Sequence, residues 1–235
     1  MVNNTVRETI NSTVSETAQK NSNCEAEVRT RVGVLVSGGG TNLQAIIDAK
    51  QNGELDCCEL CVVISSNPSA YALKRAQQAG IPTECIVKKH FPILDEYTDA
   101  LVQSLLKYDV QLIVMAGYLN IVGESLFHTF EGRIINVHPS LIPAFSGVGF
   151  YGLTPHQKAL EYGVKITGAT THFVSIETDC GPIILQKAVA VMPDDTAETL
   201  QRRVMEEAEW VILPETMRLY AQGRLKISGK IVSIL

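Results

Sequence analysis

From Arg31 onward the apolar positions of this 235-residue chain alternate between two rhythms. Positions 32–37, 60–65 and 111–115 are nearly unbroken apolar runs, as expected of strands buried on both faces. Between them, 43–47, 69–79 and 94–108 carry apolar residues at helical spacing, as in Leu94, Tyr97, Leu101 and Leu105. Gly80 ends the second of these helices, and Ile81-Pro82-Thr83 opens a short strand through Val87. This βαβαβ order predicts an α/β fold: a mostly parallel, Rossmann-like, doubly wound sheet with helices on both faces. Further on, a helix reaches Thr129, a short strand covers 133–137, and a helix runs from Thr154 to about Tyr162, ended by Gly163. Strands at 168–175 and 183–191 are joined only by 176–182, too short for a parallel crossover, so they are expected as an antiparallel edge pair. A long amphipathic helix is predicted over 196–221, kinked or divided at Pro214 and ended by Gly223, with a short tail to Leu235. Residues 1–30, rich in Asn, Thr, Ser and Glu, read as a disordered or weakly helical tail preceding a single domain at 31–235.

One stretch breaks the pattern. The β-branched run at 133–137 carries an amide, Asn136, and two residues later an imidazole, His138, before Pro139 stops it. Side chains two apart on a strand share a face, so amide and ring stand together at a strand's C-terminal end, where open α/β sheets place their ligands. A buried Asn satisfying backbone groups beside a hydrogen-bonded core His would give the same pattern.

A second stretch has a mechanism attached. After the first strand, Ser37-Gly38-Gly39-Gly40-Thr41-Asn42 leads directly into a helix. Glycines allow positive φ and close approach of backbone to ligand, and the helix N-terminus offers unpaired N–H groups to an anion. The motif is neither the dinucleotide fingerprint nor a P-loop, since no Lys follows the glycines. A turn serving only tight strand-to-helix packing is the alternative. The loop at 143–153, with Gly147, Gly149 and Gly152 among three aromatics, suits a mobile flap or a cofactor wall, or an Ω-loop packed on its own side chains.

Composition narrows the function. A net charge of −5 with no basic arm excludes nucleic-acid binding through the overall field. No apolar stretch is long enough to span a bilayer and no apolar signal segment opens the chain, so no membrane partner and a cytoplasmic location are expected. Cys57, Cys58 and Cys61 superficially suggest metal ligands, but no second Cys/His pair stands at matching spacing, and buried free thiols with no metal are expected.

Taken together, Ser37 to Ile46, Asn136 to Pro143, and Thr171 to Val174 with Asp179 to Ile184 resemble the motifs of the folate-dependent formyltransferases, in the phosphoribosylglycinamide formyltransferase branch, over about 31–227. The resemblance implies a small-molecule transferase that moves the formyl group of 10-formyltetrahydrofolate, as cosubstrate, to the amine of glycinamide ribonucleotide in purine biosynthesis. It implies Asn136 as donor to the oxyanion, His138 as the imidazole beside the formyl group, and Asp179 as the carboxylate that assists it. The substrate phosphate would rest on Gly40, Thr41 and Asn42, with Glu209 holding the ribose or amine. The cofactor would lie against Leu119, Asn120, Ile121 and Val122, the backbone around Glu177, and Gly147. His172 is implied as a supporting residue behind the site, or as a structural histidine. Two departures stand out: many members carry Arg at the position of Asn120, and Gly149-Phe150-Tyr151-Gly152 lengthens the flap.

Three rivals share parts of this pattern. Formyltetrahydrofolate deformylase has a similar Asn, His and Asp set but normally an N-terminal regulatory domain, which thirty polar residues are not expected to form. Methionyl-tRNA formyltransferase adds a C-terminal RNA-binding domain, for which this acidic chain is expected to have no room. A non-catalytic folate or nucleotide sensor would have no need of all three catalytic side chains.

Overall fold

The computed structural model describes residues 29–235; the tail expected at 1–30 falls, apart from its last two positions, outside the described residues. The chain runs β1 (Thr30–Val36), α1 (Thr41–Gln51), β2 (Cys58–Ser65), α2 (Tyr71–Gln78), β3 (Thr83–Cys85), α3 (Leu94–Lys107), β4 (Leu112–Met115), α4 (Glu124–Thr129) and β5 (Ile134–His138). It continues through α5 (Thr154–Tyr162), β6 (Ile166–Phe173), β7 (Ile183–Ala190), α6 (Ala197–Val204), α7 (Trp210–Ala221), β8 (Leu225–Ser228) and β9 (Ile231–Ile234).

The described strands make one sheet in the order β3-β2-β1-β4-β5-β6-β7-β9-β8. From β1 the chain winds outward to β3, then returns to β4 on the other side of β1, so the switch point of the sheet lies between β1 and β4. β1 pairs in parallel with β2 and β4, and β4 with β5. The sequence-predicted antiparallel pair forms as β6 and β7, and β6 also runs antiparallel to β5. One row across the sheet therefore reads Leu35, Met115, Asn136, His172.

Alternation of side chains explains why the central strands are apolar throughout. In β1, Val32, Val34 and Val36 pack with Leu43, Ile46 and Met217 on one face, whereas Leu35 packs with Tyr97, Leu101 and Leu105 on the other. Each such aliphatic residue contributes roughly 1.5–3 kcal/mol by leaving water, so both faces favour the same register. A third cluster, with Ala159, Leu200, Val204 and Ile212, seats α5 and α6 against β6 and β7. Cys58 and Cys61 lie in this interior, and burial pushes the Cys58 thiol up to about 12. Among the described residues, no helix is long and apolar enough to cross a membrane.

Two expectations are corrected. The long helix at 196–221 divides at Met205–Glu209, a single wide turn of π-helical pitch, and Pro214 lies inside α7 beyond it. Pro214 has no N–H to give the preceding turn, and the widening upstream accommodates it while rotating Glu209 inward. The supposed tail after Gly223 is a hairpin, β8–β9, turning at Gly229 (φ 59°) and adding to the sheet through Ile183 and Ile231. Its strands are four residues each, too short for periodicity to reveal, and Gly229 in a two-residue connection was the available signal.

Candidate active site

Asn136 and His138 occupy the end of β5, and the structure joins each to a partner on the antiparallel half of the sheet. The turn after them is bound down: Thr170 Oγ1 donates to the Ser140 carbonyl (2.6 Å) and accepts from Ile142 N (3.1 Å). The loop between β6 and β7 folds back over β6 because residue 181 is glycine; a Cβ there would stand 1.7 Å from the Phe173 carbonyl oxygen. That fold-back carries Asp179, in the left-handed region at φ 55°, into the site.

Hydrogen-bond logic fixes the proton positions. His172 Nδ1 lies 2.9 Å from the Phe173 carbonyl. A carbonyl can only accept, so Nδ1 donates, and Nε2 is left as a lone pair facing Asn136 Nδ2 at 3.2 Å. The Asn136 amide is thereby oriented: one N–H goes to His172 and the other is free to meet a developing oxyanion. His138 Nε2 likewise donates to the Phe145 carbonyl (2.9 Å), which turns Nδ1 toward Asp179 Oδ2 at 3.3 Å. Asp179 also accepts from Gly147 N (2.9 Å), and its Oδ1 lies 3.6 Å from His172 Nε2. His138, His172 and Asp179 are all nearly buried.

The electrostatics follow from that burial. Desolvation pulls His138 below the ordinary imidazole value, opposed by the Asp179 charge and the Phe145 carbonyl. For Asp179, burial is the largest influence and acts upward, but the neighbouring His172 and His138 rings and the Gly147 N–H together hold the carboxyl below its usual range. The pair therefore stands at neutral pH as ring and carboxylate, with a place for one proton between Nδ1 and Oδ2.

The glycine turn faces the same edge. Asn136 stands two strands from Leu35, about 10 Å at the usual strand spacing. The N–H groups from Gly39 to Asn42 have no acceptor among the described residues. The side chain of Asn42 is otherwise engaged: its Nδ2 donates to Glu209 Oε2 at 2.7 Å. Thr41 Oγ1 reaches Met205 Sδ at 3.6 Å. Glu209 is buried, and desolvation raises its carboxyl to about 7 against the lowering effect of Asn42. Wide helical turns recur where a side chain must be aimed into a site, and here the wide turn delivers Glu209 to the foot of the glycine loop.

The expected cofactor wall is only partly a unit. Leu119 and Ile121 expose 58% and 71% of their surface, an apolar lip at the sheet edge, with Val122 half-buried behind it. Asn120 donates to Tyr97 Oη (3.1 Å), which is itself hydrogen-bonded to Tyr118. Leu119 N donates to Ser37 Oγ (3.0 Å), and Ser37 also bonds Ser66, so the lip is tied to the glycine turn. Glu177 is exposed and borders a cavity of about 480 Å³ beside the Asp179 loop, with Phe127 and Val174 in its wall. Gly147, expected at the cofactor, has its N–H committed to Asp179. A larger groove of about 790 Å³, between α1 and α7, contains none of the three catalytic candidates.

One residue escaped the sequence reading. His156, in the first turn of α5, is fully buried with neither ring nitrogen bonded among the described residues. Burial, then the neighbouring His138, pushes its ring down to about 4. A lone histidine after a proline in a helix's first turn has no signature, and only its burial distinguishes it.

Comparison with known proteins places this arrangement. Residues 30–217 match the family model described as formyl transferase. The chain is 39% identical over 201 residues to the phosphoribosylglycinamide formyltransferase of Haemophilus influenzae, covering 86% of this chain and 92% of that one. It is also 39% identical over 205 residues to the chicken (Gallus gallus) trifunctional purine biosynthetic protein adenosine-3, of which it spans 20%. Among solved structures, glycinamide ribonucleotide transformylase 1 of Symbiobacterium toebii superposes with a TM-score of 0.84 at 44% identity, over 90% of this chain and 96% of that one. A formyltetrahydrofolate deformylase from Pseudomonas syringae gives a TM-score of 0.79 at 25% identity, over 88% of this chain and 66% of that one.

Proposed function

Because the chain belongs to the formyl transferase family, we propose that it transfers the formyl group of 10-formyltetrahydrofolate to the amine of glycinamide ribonucleotide, giving formylglycinamide ribonucleotide and tetrahydrofolate for purine biosynthesis. The observation that carries this reading is the shared edge: the Asn136, His138 and Asp179 cluster stands about two strand spacings from a loop of free N–H groups suited to phosphate.

The chemistry fits those groups. The acceptor amine attacks the formyl carbon, the carbonyl becomes an oxyanion, and the C–N10 bond then breaks. The free N–H of Asn136 stabilises the oxyanion, held in line by His172. The attacking nitrogen must lose a proton and N10 must gain one. A neutral His138 beside an ionised Asp179 takes the first proton between Nδ1 and Oδ2 and returns it to the leaving nitrogen. The backbone of Gly40, Thr41 and Asn42 receives the substrate phosphate, while the Asn42 side chain holds Glu209 against the ribose or amine. The folate lies along Leu119 to Val122, with Glu177 and Gly147 at the opposite side. Side chains and backbone suffice for every step as written.

The test is an assay of purified protein with 10-formyltetrahydrofolate, with and without glycinamide ribonucleotide. Tetrahydrofolate should appear only with the acceptor present. Equal release without acceptor would make the protein a hydrolase of the deformylase kind, and no release in either case would make it a binding protein.

A further inference from the structure

All three carbonyls of the glycine loop are taken by donors on the helix side. Gly38 O accepts from Ala72 N (3.1 Å), Gly39 O from Arg75 Nε (2.9 Å) and Gly40 O from Gln44 N (2.9 Å). The first two donors belong to α2, not to the helix that follows the loop. In a planar trans peptide the C=O and the next N–H point in opposite directions. Pulling the Gly39 carbonyl toward α2 therefore turns the Gly40 N–H outward, and the hold on Gly38 does the same for Gly39 N–H. The loop becomes a surface of donors with its acceptors facing away, the polarity an anion needs.

Arg75 is itself braced. Its Nη1 donates to Gln44 Oε1 at 2.8 Å, on the first helix, and its guanidinium lies 4.9 Å from the centre of the Tyr71 ring. The close approach of α2 that makes this possible requires Gly40: at φ 72°, a Cβ there would stand 2.6 Å from Ala72 Cβ. Neither the catalytic cluster nor the folate wall touches Arg75; its guanidinium joins the glycine loop to α1.

We propose that Arg75 is a positioning residue for the anion loop: it clamps the Gly39–Gly40 peptide so that the Gly40 N–H meets the phosphate of the acceptor substrate. This rests on the reading of that loop as the phosphate site. Lysine cannot replace it, because the clamp uses two nitrogens of one planar fork on two different acceptors.

The experiment compares wild type with R75A and R75K in steady-state kinetics, in calorimetric binding of inorganic phosphate, and in thermal unfolding. R75A should raise KM for glycinamide ribonucleotide about tenfold and weaken phosphate binding by a similar factor, with KM for 10-formyltetrahydrofolate within twofold and R75K only partly restoring either. Unchanged phosphate affinity and unchanged acceptor KM in R75A would overturn the proposal, as would parallel rises in both KM values with a lowered thermal midpoint. If R75A fails to fold, Gln44→Ala and Tyr71→Ala each remove one brace of the guanidinium and should raise the acceptor KM alone, by a smaller factor; no change in both would overturn it. Phosphate binding keeps this test separate from the parent reading: a protein whose phosphate affinity drops in R75A but which transfers no formyl group defeats the reaction and leaves the clamp standing.

Discussion

At His172 the proton sits on Nδ1 because Phe173 offers only an acceptor, and the Asn136 amide inherits its orientation from that choice. Replacing His172 by Phe removes the lone pair that holds the amide; kcat should fall about tenfold with both KM values little changed, measurable in steady-state assays. Asp179→Asn should lower kcat by about 10² or more, the scale of proton-transfer assistance. Since Asp179 raises the His138 pKa against burial, the same variant should move the acidic limb of the pH–kcat/KM profile further below 6.5; a limb that stays in place would remove Asp179 from the relay. Glu209 makes a separate prediction, for stability. Its carboxyl is raised from 4.5 to about 7 in the folded chain, so the folded state binds more protons than the unfolded state between those values. Stability from this group is present below pH 4.5 and lost as pH rises toward 7, at a cost of roughly 3 kcal/mol. Glu209→Gln keeps an acceptor for Asn42 and should flatten the decline of the urea midpoint across that window. At this scale the sequence was informative where chemistry constrains residue type: Asn136, His138 and Asp179 converge as their motifs imply. It was silent where only burial matters. Nothing along the chain marked His156 as interior, and nothing revealed that the Asn42 amide would be spent on Glu209.

Among the elements, the loop between β6 and β7 holds Asp179, the carboxylate proposed to work with His138. Gly181 lets it lie against the Phe173 carbonyl, and Gly181→Ala should lift the loop and Asp179 with it. We expect kcat to drop as far as in Asp179→Asn, about 10², with the folate KM also rising, read in the same assay. The strand-like runs and the β–α alternation were legible because central strands buried on both faces leave unbroken apolar segments. The division at Met205–Glu209 was not, because Pro214 announces a disturbance without saying which turn absorbs it. The hairpin at the C-terminus was missed for a related reason: Ile227 and Ile231 are largely exposed, so no alternation between core and solvent was written into those four-residue strands.

For the whole molecule, the sheet separates duties. Its parallel half supplies the glycine turn and the apolar lip; its antiparallel half supplies His172 and the Asp179 loop; β5 is the seam. The outermost hairpin touches this arrangement only through its turn, where Gly229 and Lys230 border the cavity beside the Asp179 loop. Val232→Ala, which trims its packing against the core, should cost about 1 kcal/mol in thermal or urea unfolding and leave kcat and both KM values unchanged. A loss of activity there would mean the sheet transmits strain across its width. Phe145 and Gly147 stand two residues apart in the aromatic loop, yet one supplies the acceptor for His138 and the other the donor for Asp179. Displacing that segment would free the His138 and Asp179 side chains together. The loop therefore acts as a shared brace, and one segment sets the orientation of both members of the proposed proton-transfer pair.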